Sequence, residues 1–205
     1  IGTTEFSPMG FLPEIANDLS VSIPQAGLLI SAYAVGVMIG APLMTLWLAR
    51  FPKKTALILL MAIFTIGNVL ATVAPDYMSL MSARLITSLN HGAFFGLGSV
   101  VAASVVPKDK QASAVAMMFM GLTIANIGGV PLATWLSQNT SWRMAFAAIS
   151  ILGIMTMLAL WKALPQDHDV VKPNVAKGLR VLTRAPVVLA LLTTVMSAAQ
   201  CLRYI

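Results

Sequence analysis

Apolar stretches long enough to cross a membrane, separated by short loops that hold most of the charge, constrain this chain more than any other feature of its sequence. Only 10% of its 205 residues are charged and 58% are hydrophobic, against roughly 25% charged in soluble domains. A water-facing surface cannot be assembled from that supply. Bilayer hydrocarbon offers backbone N–H and C=O groups no partner, so each crossing has to be a helix of roughly 20 mainly apolar residues.

Proline and charge mark the boundaries. The first segment, 1–15, ends at Pro13, Glu14 and Asp18 and reads as the second half of a span. Ser22 is a capping residue and Pro24 suits a first helical turn, so a second span is expected over 22–49, closed by Arg50, Pro52, Lys53 and Lys54. Further spans are expected at 55–74, 76–106, 111–136 with Pro131 inside it, and 142–164. Residues 165–184 turn polar and basic and read as a linker, and 185–205 as the start of a seventh helix. The expected fold class is an all-α integral membrane protein: a six-helix bundle over 1–164 with an incomplete first helix. A chain that opens at Ile1 and stops at Ile205 inside an apolar run reads as a fragment or a truncated product.

Arg50, Lys53, Lys54, Lys108, Lys110, Lys162, Lys172, Lys177, Arg180 and Arg184 fall on one side of this topology, and Arg143 near the other. Basic loops stay in the cytoplasm, which puts the linker there. The net charge of +6 is thereby accounted for without nucleic acid. The single cysteine, Cys201, excludes an internal disulfide and reads as a small packing residue. The sequence shows no Gly-rich phosphate loop, catalytic triad or metal-ligand cluster, so neither an enzyme nor an ATP-driven machine is expected and no metal or cofactor is implied.

Gly40-Ala-Pro42-Leu43-Met-Thr45 in the second span recurs 89 residues later as Gly129-Val-Pro131-Leu132-Ala-Thr134 in the fifth, and the same shift carries Lys54 onto Arg143. A repeat unit of three spans has an odd number of crossings, so its two copies are inverted relative to each other. Inverted repeats let one architecture open to either side of a membrane, as secondary transporters require.

Arg84 lies about 12 Å into the fourth span at 1.5 Å of rise per residue. An arginine at such depth costs about 2.5 to 3.5 kcal/mol, which favours a protein interior or wet cavity over lipid. The competing reading is a guanidinium snorkelling to the outer interface. Helical spacing aligns Arg84 with Ser88, His91 and Phe95, a polar stripe that suits a cavity wall. Glu5 is the acid set deepest in an apolar segment. Desolvation favours its proton-bound form and a nearby arginine its ionised form, a competition that makes a proton switch, although a carboxyl locked in a structural network is the alternative. His91 reads as a neutral interhelical hydrogen-bonding group before it reads as a relay. Asn68, Asn90 and Asn126 read likewise, with Asn126 the best of the three for solute contact. Gly36-x-x-x-Gly40, Gly92-x-x-x-Gly96 and Gly121-x-x-x-Ala125 place small residues one turn apart for close helix packing. Pro131 removes a helical hydrogen bond and can bend the fifth span.

Several stretches together resemble one family: Thr4-Glu5-Phe6 with Phe11-Leu12-Pro13, Ser31-Ala-Tyr33-Ala-Val-Gly36 through Gly40-Ala-Pro42-Leu43, His91-Gly92-Ala-Phe94-Phe95-Gly96, Gly121 through Gly129-Val-Pro131-Leu132, and Ser141-Trp142-Arg143 with Phe146. The chain looks like the amino-terminal half of a major facilitator superfamily transporter, in the bacterial branch of arabinose-efflux-permease-like and drug:proton antiporters. The resemblance implies a twelve-helix protein of two six-helix halves in the bacterial inner membrane, moving a small organic solute such as a drug or sugar in exchange for protons. The carboxy-terminal half and membrane lipid are then its partners and the proton its coupling ion. The family's loop motif Gly-x-Leu-Ala-Asp-Arg-x-Gly-Arg-Arg is degenerate here, with Thr45 and Ala49 for its glycine and aspartate, while Arg50, Lys53 and Lys54 keep the charge. Arg84 matches the fourth-helix arginine associated with proton coupling, with Ser88 in place of a glycine four residues on. The antiporter motif of the fifth helix is kept at Gly121 and Gly129 and altered at Ala125, Asn126 and Val130.

The expected site is therefore Glu5 and Arg84 for proton coupling and Phe6, Tyr33, His91, Phe95 and Asn126 for the solute. Gly36, Gly40, Pro42, Arg50, Lys53, Lys54, Gly121, Gly129 and Pro131 are the packing and conformational positions. Export by alternating access is the favoured activity. A proton-coupled importer and a non-transporting truncated membrane protein are the alternatives.

Overall fold

A computed structural model describes residues 1–164; the expected linker at 165–184 and helix start at 185–205 lie outside the described residues. The first segment is two short helices, α1 (Gly2–Gly10) and α2 (Leu12–Asp18). They break at Phe11, because Pro13 has no N–H to donate and its ring crowds the preceding turn. Helix α3 (Ile23–Leu48) starts where the sequence placed it: the Ser22 hydroxyl accepts from the Gln25 N–H, and the Gln25 side chain accepts from the Ser22 N–H. Helix α4 covers Lys53–Thr72 and α9 covers Trp142–Ala163, the latter capped by Ser141.

Two expected spans are interrupted. The fourth divides into α5 (Tyr77–Ser88), capped by Asp76, and α6 (His91–Ser104). At the break the Ser88 hydroxyl turns back to the Leu85 carbonyl and the buried Asn90 amide donates to the Leu60 carbonyl of α4. The fifth divides into α7 (Gln111–Ile124) and α8 (Val130–Asn139), joined by a π-helical turn at Ala125–Gly129. Pro131 cannot donate to the Ile127 carbonyl, and the wider turn gives its ring room. Pro42, by contrast, sits inside an unbroken α3. By length and composition five stretches among the described residues can cross a membrane: Ile23–Leu48, Lys53–Thr72, Tyr77–Ser104, Lys108–Asn139 and Trp142–Ala163.

Packing follows the repeat. The second span of the first unit, α3, lies against α5 and α6, the first span of the second unit. Reciprocally α8 and the π turn, in the second span of the second unit, lie against α1. The third spans, α4 and α9, pair with each other. The repeated glycines sit at the two equivalent crossings: a side chain at Gly40 would strike the Leu89 backbone, and one at Gly129 the Thr3 side chain. Gly36 abuts Ser88, and Gly92 abuts Ala41. Gly96 and Gly121 differ from the sequence expectation: nothing lies within 4 Å of either position, so neither draws two described helices together.

The repeat also reaches the helix ends, whose last carbonyls have no intrahelical donor. Lys54 at the start of α4 donates to the Leu164 carbonyl past the end of α9, at 2.5 Å. Arg143 at the start of α9 donates to the Ala74 carbonyl past the end of α4, at 3.0 Å. Each cation thus closes the partner helix, where the dipole favours positive charge. Outward faces stay apolar, as with Ile151, Met155, Leu158 and Trp161 on α9, which suits acyl chains and not water.

In the full-length protein, Gly40→Val is expected to destabilise by about 1–3 kcal/mol through overpacking against Leu89. Gly27→Ala, with nothing within 4 Å, should be neutral or stabilising by up to about 1 kcal/mol, since alanine is the better helix former. Thermal unfolding in detergent checks both; a Gly40→Val protein that melts like wild type contradicts the close crossing.

Candidate functional site

The centre of the bundle is organised around Arg84, which α5 carries at 1% exposure. Its Nη1 donates to the Thr4 carbonyl of α1 at 2.6 Å, and its guanidinium carbon lies 4.2 Å from the centre of the Tyr33 ring on α3. The Phe146 ring of α9 is 5.9 Å away. A planar, weakly hydrated guanidinium tolerates such a place better than an ammonium, because ring faces attract it and its N–H fork reaches a carbonyl. Its Nε and Nη2 have no hydrogen-bond partner. Thr4 is itself fixed, its hydroxyl donating to Asn68 Oδ1 of α4 at 2.7 Å.

One residue on, Glu5 faces His91: Oε2 lies 3.3 Å from Nε2, with the two side chains 31% and 11% exposed respectively. The other imidazole nitrogen, Nδ1, is 3.1 Å from the Tyr33 hydroxyl. Phe95 lies 5.2 Å from the His91 ring and stacks on Phe119 of α7 at 5.5 Å. Three stretches that are distant in sequence, α1, α3 and the consecutive pair α5–α6, therefore meet in one polar cluster inside an apolar bundle. A pocket of about 200 Å³ bordered by Phe64, Phe94, Phe95, Met118, Gly121 and Ile149 adjoins the rings.

Of the residues singled out in the sequence, Glu5, Tyr33, Arg84, His91 and Phe95 come together. Phe6 is half-buried and takes no part in the ring cluster. Asn126 sits in the π turn with its Oδ1 buried and without a hydrogen-bond partner, beside the crossing where Thr3 donates to the Ala125 carbonyl. Arg84 turns inward and does not snorkel, yet its hydrogen bond goes to the Thr4 main chain and not to the Glu5 carboxylate. In the degenerate loop, Arg50 donates to the Trp47 carbonyl of its own helix. The reading of the sequence missed Thr4 and Phe119. Thr4 contributes a main-chain oxygen, for which no side-chain signal exists, and Phe119 resembled any other apolar residue of its span.

A second polar group lies at the opposite end from Lys54. Asp18 accepts from Arg143 Nη1 and from Trp142 Nε1, the latter at 3.0 Å, and Arg143 lies 4.2 Å over the Trp142 ring. The hydrogen bond from Arg143, and next that from Trp142, hold the Asp18 carboxyl below its usual range.

Comparison with known proteins agrees with this architecture. The Major Facilitator Superfamily profile matches residues 1–205, and the chain belongs to that family. It is 66% identical over 198 residues to the inner membrane transport protein YdhP of Escherichia coli K12, covering 97% of this chain and 51% of that protein. It is 40% identical over 186 residues to the putative transporter AraJ of the same organism, covering 91% of this chain and 47% of that one. A probable sugar efflux transporter of Pasteurella multocida is 32% identical over 164 residues, covering 80% and 40% respectively. The chain spans about half the length of the curated relatives it matches.

A carboxyl held below its ordinary value stabilises the fold above that ordinary value, and the contribution disappears as pH falls through the folded one. Asp18→Asn should therefore lower thermal stability at neutral pH by about 1 kcal/mol or less, as for an exposed pair. The gap should close below about pH 4, where the unfolded carboxyl is protonated. Melting curves across pH check this, and a gap that widens in acid contradicts it.

Proposed function

We propose that this chain forms the amino-terminal half of a secondary active transporter of the bacterial inner membrane, exporting a small organic solute in exchange for protons. The observation that carries the reading is the cluster of buried Arg84, His91 and Tyr33 with half-buried Glu5 at the meeting of two inverted three-helix units. Ionisable groups are expensive within an apolar bundle and typically mark ion or substrate pathways. The likeness to YdhP, an inner membrane transport protein, and to the probable sugar efflux transporter of Pasteurella multocida supports the class and favours the direction.

In this reading Glu5 binds the proton and Arg84 is the cation that tunes it. Phe6, Tyr33, Phe95 and Asn126 border the solute path, and His91 faces it. Neutralising Glu5 removes the carboxylate that the guanidinium favours, while an ionised Glu5 holds the half in the other state. Solute and proton drive the exchange only through different affinities for the two states. The π turn before Pro131 and the crossing at Gly129 are where the fifth span accommodates the change. The carboxy-terminal half supplies the remaining walls, and the basic linker lies in the cytoplasm.

Glu5→Gln in the full-length protein is expected to abolish solute movement against its gradient under a pH difference, while downhill exchange persists. Vesicles of known orientation loaded with labelled sugars or dyes check this. Accumulation driven by pH in the variant contradicts the assignment, and filling of right-side-out vesicles by an inward proton gradient makes the protein an importer.

A further inference from the structure

The imidazole of His91 is engaged at both nitrogens, by an acid on α1 and a phenol on α3, which leaves neither for a solute. We infer that Glu5 and His91 form a single proton-binding unit, with Tyr33 reporting its state to α3 through the far ring nitrogen. The inference rests on the reading of Glu5 as the coupling acid and moves His91 from solute contact to proton binding.

A neutral imidazole has one donor nitrogen and one acceptor nitrogen. Against an ionised Glu5 only the donor fits, so Nε2–H points to Oε2 and Nδ1 accepts the Tyr33 O–H. One added proton changes both ends. On the ring it gives an imidazolium whose Nδ1–H donates to the Tyr33 oxygen. On the facing Oε2 of Glu5 it would set O–H against Nε2–H, two donors face to face, unless the ring passes to the Nδ1–H tautomer, with the carboxyl O–H donating to Nε2. On Oε1 it would leave Oε2 accepting from Nε2–H and the ring unswitched, an outcome that nitrogen NMR distinguishes. With the proton on the ring or on Oε2, the two inferred arrangements, the unit gains one proton and one positive charge, Nδ1 carries hydrogen, and the Tyr33 oxygen changes from donor to acceptor. A proton on the first span is thereby read on the second span.

The surroundings restrict the unit to these groups. Arg84 of α5 lies over the Tyr33 ring at 4.2 Å and is the one guanidinium beside the unit among the described residues. On α1 the Ile1 nitrogen is about one turn before Glu5. Helix α4 presents Ala56, Leu59 and Leu60 to α6, and α7 presents Phe119 to Phe95. Phe95 and the edge of Tyr33, at 5.2 and 6.0 Å, hold the imidazole plane in place.

The test is nitrogen NMR of the full-length protein in lipid nanodiscs, labelled with 15N-histidine and 13C-glutamate and free of solute. The His91 signal is assigned by its loss in His91→Gln and the Glu5 carboxyl by its loss in Glu5→Gln. As pH falls, His91 Nδ1 is expected to gain hydrogen, the Glu5 carboxyl signal moving at the same midpoint, and Glu5→Gln should lose the switch. An Nδ1 that stays without hydrogen while Glu5 protonates overturns the inference. Separate midpoints for the two residues in the wild type, which need no variant, overturn the inference; so does a switch that persists in Glu5→Gln. Because no solute is present, a failure of pH-driven transport would count against Glu5 as coupling acid and leave this result standing.

Discussion

A guanidinium with 1% exposure in the middle of an apolar bundle is the constraint to which the surrounding structure answers. Removing a charge from water costs several kcal/mol even after relaxation, so Arg84 requires compensation from every side. The Thr4 carbonyl, the Tyr33 face and the Phe146 ring supply part of it, each from a different span, while Nε and Nη2 stay without a hydrogen-bond partner. Meeting that requirement brings the first, second and sixth spans to one point on the fourth. Thr4 cannot offer its carbonyl unless α1 is held, which Asn68 does by accepting its hydroxyl. The neighbouring residue, Glu5, is then delivered to His91. The polar cluster is thus a consequence of how one charge is accommodated.

The inverted repeat explains why such a point exists. Each unit lends its second span to the other's first, so the two units interlock instead of standing side by side. Paired glycines let the crossings close, and Lys54 and Arg143, equivalent under the same shift, tie opposite ends of the α4–α9 pair. The two units are joined along α3–α5, α3–α6, α4–α5, α4–α9 and α1–α8. The broken helices occur where backbone groups find partners from neighbouring helices, as Asn90 does at Leu60. Unsatisfied backbone is tolerated at membrane depth only under that condition.

Five of the six expected spans, their ends and the repeat were legible in the sequence because they rest on composition, on caps such as Ser22 and Asp76, and on a local pattern that does not need tertiary contacts. The inward turn of Arg84 was legible from its depth and its stripe. The break at Leu89–Asn90 was not, since it depends on hydrogen bonds between residues whose own helical preference is ordinary; at Ala125–Gly129, Pro131 signalled a bend but not its π-helical form. The same holds for the partner of Arg84, a main-chain oxygen that any residue at position 4 carries. Small-residue spacing overstated the packing: Gly36, Gly40 and Gly92 lie at crossings, while Gly96 and Gly121 have the same pattern and open surroundings. Spacing says where a close approach is possible, and only the path of the neighbouring helix decides whether it happens.

The most direct test is an electron-microscopy map of the full-length protein in a lipid nanodisc at side-chain resolution. The account predicts the Arg84 guanidinium between the first and second spans, against the Thr4 carbonyl and the Tyr33 face, with Glu5 and His91 in contact beside it. A guanidinium directed at acyl chains, with the second span lying away from the fourth, would contradict it.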